Sequence, residues 1–96
     1  MMLVKLVDGI GSFAENKEKA KDIRLNKLIP TLEKGEDIIL DFKNIDDATQ
    51  SFIHALISDL FRKYGDEVLN RISFKNCNET VSKVITIVAD YMQETD

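Results

Sequence analysis

The chain has 96 residues, of which 44% are hydrophobic and 31% charged, so we expect one folded domain over residues 1–96 with a single core. Its 13 basic and 17 acidic residues are spread along the sequence and give a net charge of −4, which argues against nucleic-acid or anionic-membrane binding. One cysteine, Cys77, excludes an internal disulfide, and the N-terminal apolar run is too short for a signal peptide or a spanning helix, so we predict a cytoplasmic protein.

The first third of the chain predicts a strand followed by a helix. Residues 1–7 are rich in Leu and Val and predict a strand, with a short hairpin through residues 10–13 as an option. Residues 16–34 predict a helix that Asn16 caps. Pro30 removes a backbone donor, so the helix either kinks there or divides into two.

The middle of the chain predicts a strand, a polar turn and a long helix. Residues 38–42 form an apolar run interrupted only by Asp41, which is typical of a strand covered on both faces. Residues 51–64 place their apolar side chains on one half of a helical wheel. The turn between them, residues 43–50, lies where a strand's carboxyl end leads into a helix, and sites form there in open α/β folds.

The last third predicts a strand over residues 72–75 near the sheet edge, since apolar and polar residues alternate there. Asn76 and Asn78 are alternative caps for a terminal helix, whose broad apolar face includes Ile87 and Tyr91. The order β-α-β-α-β-α predicts an α/β domain with a small, mainly parallel sheet and helices packed on it.

Three short segments carry a resemblance to a known family. They are Leu40-Asp41-Phe42, then Thr49-Gln50-Ser51-Phe52 at a helix start, then Lys75-Asn76 after the next strand. Together they resemble the STAS-like domain family of unknown function, which is related in fold to anti-sigma factor antagonists. The resemblance runs over nearly the whole chain and is most specific between Asp41 and Leu56.

In the antagonists, the corresponding turn carries an Asp-Ser-Ser-Gly-Leu motif, and a kinase-type anti-sigma factor phosphorylates its second serine. In this chain Thr49 and Gln50 take the places of the Asp and the first serine, and Phe52 that of the glycine. Ser51 takes the place of the second serine, so the resemblance makes it the candidate phosphosite. The alternative is that Ser51 or Thr49 caps the helix.

The resemblance and the position of the turn give a candidate partner-binding surface and one residue that shapes it. Asp41, between apolar neighbours, needs hydrogen-bond donors, and we predict that backbone or hydroxyl donors of the following turn supply them. The candidate partner-binding residues are Lys43, Asn44, Asp46, Asp47, Thr49, Gln50, Ser51 and His54.

Other chemistry has less support. Ser51, His54 and Asp47 could be drawn as a hydrolase set, but no oxyanion hole can be inferred from the sequence. One His and one Cys without paired spacing predict no metal site, and we expect no cofactor. Cys77, near a helix start, is read as a small buried residue.

We therefore expect a non-enzymatic regulatory module that binds another protein, with a kinase-like ATPase or anti-sigma factor as the partner that the resemblance implies. The alternative is a stand-alone inhibitor from a phage or mobile element that blocks a host complex. The sequence does not decide the oligomeric state.

Overall fold

A computed structural model describes residues 1–94, which form five strands and six helices. Their bounds, in chain order, are β1 (Met2–Lys5), α1 (Val7–Ile10), β2 (Phe13–Ala14), α2 (Lys17–Ile23), α3 (Ile29–Glu33), β3 (Ile38–Asp41), β4 (Asp47–Ala48), α4 (Gln50–Tyr64), α5 (Val68–Arg71), β5 (Ile72–Lys75) and α6 (Glu79–Glu94). A π-helical turn, Arg24–Leu28, joins α2 to α3, and a 3-10 turn, Gly65–Glu67, precedes α5. No helix within residues 1–94 combines the length and the apolar character that crossing a membrane requires.

The main sheet has three parallel strands in the order β1-β3-β5. Both crossovers step in the same direction across the sheet, so right-handed connections place the helices on one face. On that face Val4, Leu40 and Ile72 are buried. The predicted α/β class with a small parallel sheet is confirmed, and β5 lies at the edge as predicted.

The prediction that the middle strand is covered on both faces is wrong. Leu3 and Ser73, which flank Ile39 on the other face of the sheet, are exposed, and Ile39 itself is half-buried between them. Because both helical crossovers lie on one side of the sheet, no helix within residues 1–94 covers this second face. The apolar run of β3 therefore reflects shielding by its two neighbouring strands as well as by helices.

The predicted first helix is divided, as Pro30 required. The chain passes from α2 through the π-helical turn into α3, and Pro30 is the second residue of α3. Within the π-helical turn Arg24 reaches the middle helix: its Nη1 donates to the Ala55 carbonyl at 2.7 Å, and its Nη2 lies 3.2 Å from an Asp59 carboxylate oxygen. The turn therefore positions a cation that ties the first helical segment to α4.

The hairpin considered for residues 10–13 is not formed. Residues 7–10 form α1 instead, and Gly11 follows with a φ of 83°, which turns the chain away from β1. Phe13 and Ala14 then pair in parallel with Asp47 and Ala48 as a separate two-stranded sheet.

Of the two alternative caps for α6, Asn78 is the one used. Its Oδ1 accepts from the Val81 N–H at 2.8 Å, while its Nδ2 donates to the carbonyls of Ile45 at 3.3 Å and Asp46 at 2.8 Å. Asn76 instead has a φ of 59° and belongs to the turn after β5. Asn78 thus holds the start of α6 and the segment between β3 and α4 together.

We expect Asn78→Ala to lower the free energy of unfolding by about 2 kcal/mol, because it removes a helix cap and two bonds to loop carbonyls. Asn16→Ala is the matched control. Asn16 caps α2 by accepting from the Glu18 and Lys19 N–H groups, so its loss costs about 1 kcal/mol. Urea unfolding of both variants measures the difference, and equal losses would contradict the bridging role.

Candidate functional site

The segment between β3 and α4 is anchored to the rest of the domain. Ile45 and Ala48 are buried, the Asp46 N–H donates to the Ser12 carbonyl at 2.7 Å, and the Thr49 N–H donates to the Ala14 carbonyl at 3.0 Å. Buried side chains thus alternate with exposed polar ones along the predicted polar turn. The exposed residues are held in fixed positions by this anchoring.

Thr49 is the cap of α4, and Ser51 is not. The Thr49 Oγ1 accepts from the Phe52 N–H at 3.1 Å, whereas Ser51 is the second residue of the helix and is exposed. The first-turn N–H groups of a helix have no acceptor within it, and the helix dipole is positive there. The Ser51 hydroxyl is therefore accessible and lies beside a local positive potential.

A groove of about 500 Å³ opens beside Ser51, between the first turns of α4 and the second half of α6. Ile87 and Tyr91 in this groove are 50% and 58% exposed, although large apolar side chains are usually buried in folded proteins. Lys17 at the start of α2 contributes a cation. The groove is lined by Lys17, Gln50, Ser51, His54, Ala55, Ile87, Val88 and Tyr91.

A second concavity, of about 370 Å³, lies at the carboxyl ends of the main-sheet strands. We call it the strand-end cup; it is lined mainly by polar and charged groups, with Val7 as its one apolar side chain. Asn44 and Asn76 have φ values of 66° and 59°, in the left-handed region that asparagine tolerates best after glycine. The other lining residues are Lys5, Asp8, Asp41 and Lys43.

Asp41 is half-buried, and its carboxylate joins two strand ends. Its Oδ1 accepts from the Lys43 N–H at 2.9 Å and from the Asn76 Nδ2 at 2.9 Å. These two hydrogen bonds, the Asn76 bond more than the Lys43 bond, lower the pKa of Asp41 below its ordinary value. One donor belongs to the predicted turn, but the other comes from the end of β5, and no hydroxyl within residues 1–94 donates to this carboxylate.

The structure divides the candidate partner-binding residues between these two concavities. Lys43 and Asn44 line the strand-end cup, whereas Gln50, Ser51 and His54 line the groove. The remaining three, Asp46, Asp47 and Thr49, lie in the anchored segment between the two concavities. The predicted single surface over residues 43–54 is therefore two surfaces, because the buried Ile45 and Ala48 draw the segment inward between them.

Sequence reasoning missed three parts of these surfaces: Lys17, Asn76 and the exposed pair of Ile87 and Tyr91. The sequence places Ile87 and Tyr91 on the broad apolar face of α6, and in the structure both are exposed at the margin of that face. The sequence signal for their exposure was the width of the apolar stripe on α6, which is greater than packing against one neighbouring element requires. The surplus apolar residues at the edge of the stripe form the groove wall.

The groups considered for other chemistry do not assemble into one site. The Asp47 Oδ1 accepts from the Ala48 N–H at 2.8 Å, and Asp47 lies outside the groove that holds Ser51 and His54. Cys77 is half-buried, and burial, aided by the Asp41 carboxylate, raises the pKa of its thiol. Within residues 1–94 no group of three or more His, Cys, Asp or Glu side chains is placed to hold a metal ion.

Comparison with known families agrees with this architecture. The model of a STAS-like domain of unknown function matches residues 19–82, two thirds of the chain. The chain therefore belongs to the family of STAS-like domains of unknown function. Searches among curated proteins and among solved structures found no significant match.

Asp41 gives a testable dependence of stability on pH. Its pKa in the folded state lies below that of the unfolded chain, so the ionised carboxylate stabilises the fold above the ordinary Asp pKa. This contribution is lost as the pH falls through the lowered pKa. We expect Asp41→Asn to destabilise the domain near neutral pH and to show a shallower loss of stability on acidification than the wild type.

Urea unfolding at a series of values between about pH 2 and pH 6 measures this slope. The matched control is Asp46→Asn, since Asp46 bonds to its neighbours only through backbone atoms within residues 1–94. If Asp41→Asn and the wild type lose stability in parallel as the pH falls, the hydrogen bonds to Asp41 do not favour its ionised form.

Proposed function

We propose that this chain is a regulatory protein-interaction module that acts by binding and not by catalysis, in the manner of an anti-sigma factor antagonist. The observation that supports this most is the position of Ser51. Its exposed hydroxyl stands at the rim of a groove in which Ile87 and Tyr91 are half exposed. A site for a charge-changing modification thus adjoins an apolar surface suited to a protein partner.

The groove favours a partner segment that carries both an apolar side chain and a carboxylate. Ile87 and Tyr91 offer apolar area, and Tyr is a common anchor residue at interfaces. Lys17 and the positive end of the α4 dipole lie on the opposite wall. A carboxylate of the partner is attracted to that wall while its apolar neighbour fills the space beside α6.

Phosphorylation of Ser51 would reverse this attraction. A phosphoryl group adds about −1.5 to −2 charges and three acceptor oxygens at neutral pH. Placed on the second residue of α4, it meets the first-turn N–H groups and Lys17, which the partner's carboxylate would otherwise contact. The acidic partner is then repelled, and the groove releases it without any change in the fold.

The resemblance to the antagonists supplies the class of partner, a kinase-like ATPase or an anti-sigma factor. Such a partner would both bind the groove and phosphorylate Ser51. An inhibitor that blocks a host complex, the alternative from the sequence, would use the same groove but would need no modification. The two proposals differ in the fate of Ser51.

We expect Ser51→Glu, which mimics part of the phosphate charge, to reduce partner binding at least tenfold. The same change raises the free energy of unfolding by about 0.5 kcal/mol, because it places an anion in the first turn of a helix. Ser82→Glu is the matched control, since Ser82 is an exposed serine on α6 outside the groove. Quantitative affinity capture from the native host, followed by titration of the captured protein, measures the binding.

Ile87→Asp tests the groove as a docking surface independently of Ser51 phosphorylation, since it places a charge on the apolar wall of the groove and leaves Ser51 unchanged. We expect Ile87→Asp to abolish capture of the partner. In a separate assay, we expect the partner captured by wild type to phosphorylate wild type in the presence of ATP but not to phosphorylate Ser51→Ala. If Ser51→Glu binds the partner as tightly as wild type, the proposed regulation by phosphorylation is wrong, but the proposed binding of a partner in the groove is unaffected. If Ile87→Asp also binds like wild type, the groove is not the docking surface.

A further inference from the structure

The strand-end cup lies apart from the groove and takes no part in the docking proposed for it. It opens at the carboxyl ends of the parallel strands, the edge of the sheet at which open α/β folds bind their ligands. Its volume of about 370 Å³ lies within the range of small-molecule sites. The cup therefore has the position and the size of a binding site for a small molecule.

Two hydrogen-bond acceptors in the cup are held side by side. The Asn76 Nδ2 donates to the Asp41 Oδ1 at 2.9 Å, which joins the two side chains. The other carboxylate oxygen of Asp41, Oδ2, and the amide oxygen of Asn76, Oδ1, accept no hydrogen bond from any residue between 1 and 94. The lowered pKa of Asp41 keeps its carboxylate ionised at neutral pH. Neighbouring acceptors of which one is anionic favour an ammonium group, since it carries three donors.

Two lysines supply positive charge near the same carboxylate. Lys5 and Lys43 both line the cup, and both are close enough to Asp41 to contribute to its lowered pKa. Neither ammonium forms an ion pair with a carboxylate of the described residues. Asn44, which also lines the cup, adds an amide donor. The cup thus offers donors for an anionic group beside acceptors for a cationic one.

The balance of charge in the cup disfavours a ligand of a single sign. Lys5 and Lys43 carry two positive charges, and Asp8 and Asp41 carry two negative charges. A simple anion is attracted by the lysines but repelled by both carboxylates, and a simple cation meets the opposite balance. A molecule that carries an ammonium group and a carboxylate on the same carbon atom is attracted by both sets. Val7, the one apolar lining residue, suits a short aliphatic side chain on that molecule.

We propose that the strand-end cup binds a free α-amino acid with a short side chain. Its ammonium group donates to Asp41 and Asn76, its carboxylate accepts from Lys5 and Lys43, and its side chain lies against Val7. A peptide does not satisfy this arrangement, because its terminal ammonium and carboxylate groups are at opposite ends of the molecule. The proposal does not rest on the proposed function, since the cup and the groove share no lining residue.

An NMR titration of the backbone amide signals with L-alanine tests the class of ligand. We expect L-alanine to shift the Lys43 and Asn76 signals until they saturate. N-acetyl-L-alanine lacks the ammonium group and L-alaninamide lacks the carboxylate, so we expect each to bind at least tenfold more weakly. The proposal is overturned if either analogue binds as tightly as L-alanine, because the cup is then a site for a simple anion or a simple cation. It is also overturned if L-alanine produces no saturable shift well above millimolar concentration.

Lys5→Gln and Lys75→Gln are a matched pair of variants, because the two lysines take equivalent positions beside Asp41. Both are Cα partners of Asp41 in the sheet and both are exposed, but of the two Lys5 lines the cup and Lys75 does not. We expect Lys5→Gln to weaken L-alanine binding about fivefold and Lys75→Gln to leave it unchanged. Equal effects would show a general electrostatic attraction and would overturn the proposal. Neither side chain is packed in the core, so both variants should keep the wild-type circular dichroism.

Discussion

The parallel pairing of β1, β3 and β5 in that order is the constraint on which the other features depend. Because the strands are parallel, their carboxyl ends meet at one edge, and Asp41 can bond to Asn76 from the neighbouring strand end. Because the crossovers step in one direction, the helices occupy one face and leave the other open. The strand-end cup and the uncovered sheet face are therefore both consequences of the strand order.

On the covered face, α4 lies between the first helical segment and α6 and provides most of the contacts that position the groove. It buries seven residues, while its first turn remains at the surface beside α6. Arg24 from the π-helical turn holds one side of α4 through the Ala55 carbonyl and Asp59. The helix that presents Ser51 is thus fixed along its length, and the serine sits on a rigid support.

Periodicity in the sequence was sufficient for the three strands of the main sheet and the helices that follow them, for the division of the first helix before Pro30 and for the edge position of β5, but not for α1 or the small sheet of β2 and β4. These follow from local patterns, in which apolar spacing and one proline decide the backbone. The open sheet face could not be predicted, because a strand shielded by its two neighbours has the same apolar run as one covered by helices. The division of residues 43–54 into two surfaces depends on Ile45 and Ala48, whose burial is set by contacts distant in sequence. The exposure of Ile87 and Tyr91 likewise depends on a contact distant in sequence, because it is set by how much of the apolar face of α6 packs against α4.

The bridge that Asn78 makes between α6 and the segment after β3 has a consequence for recognition. α6 cannot slide or rotate by a turn without breaking the bonds from Asn78 to Ile45 and Asp46. The wall that carries Ile87 and Tyr91 is therefore preorganised relative to the first turn of α4. Binding to a preorganised surface loses little conformational entropy on the receptor side, so a modest contact area suffices for measurable affinity.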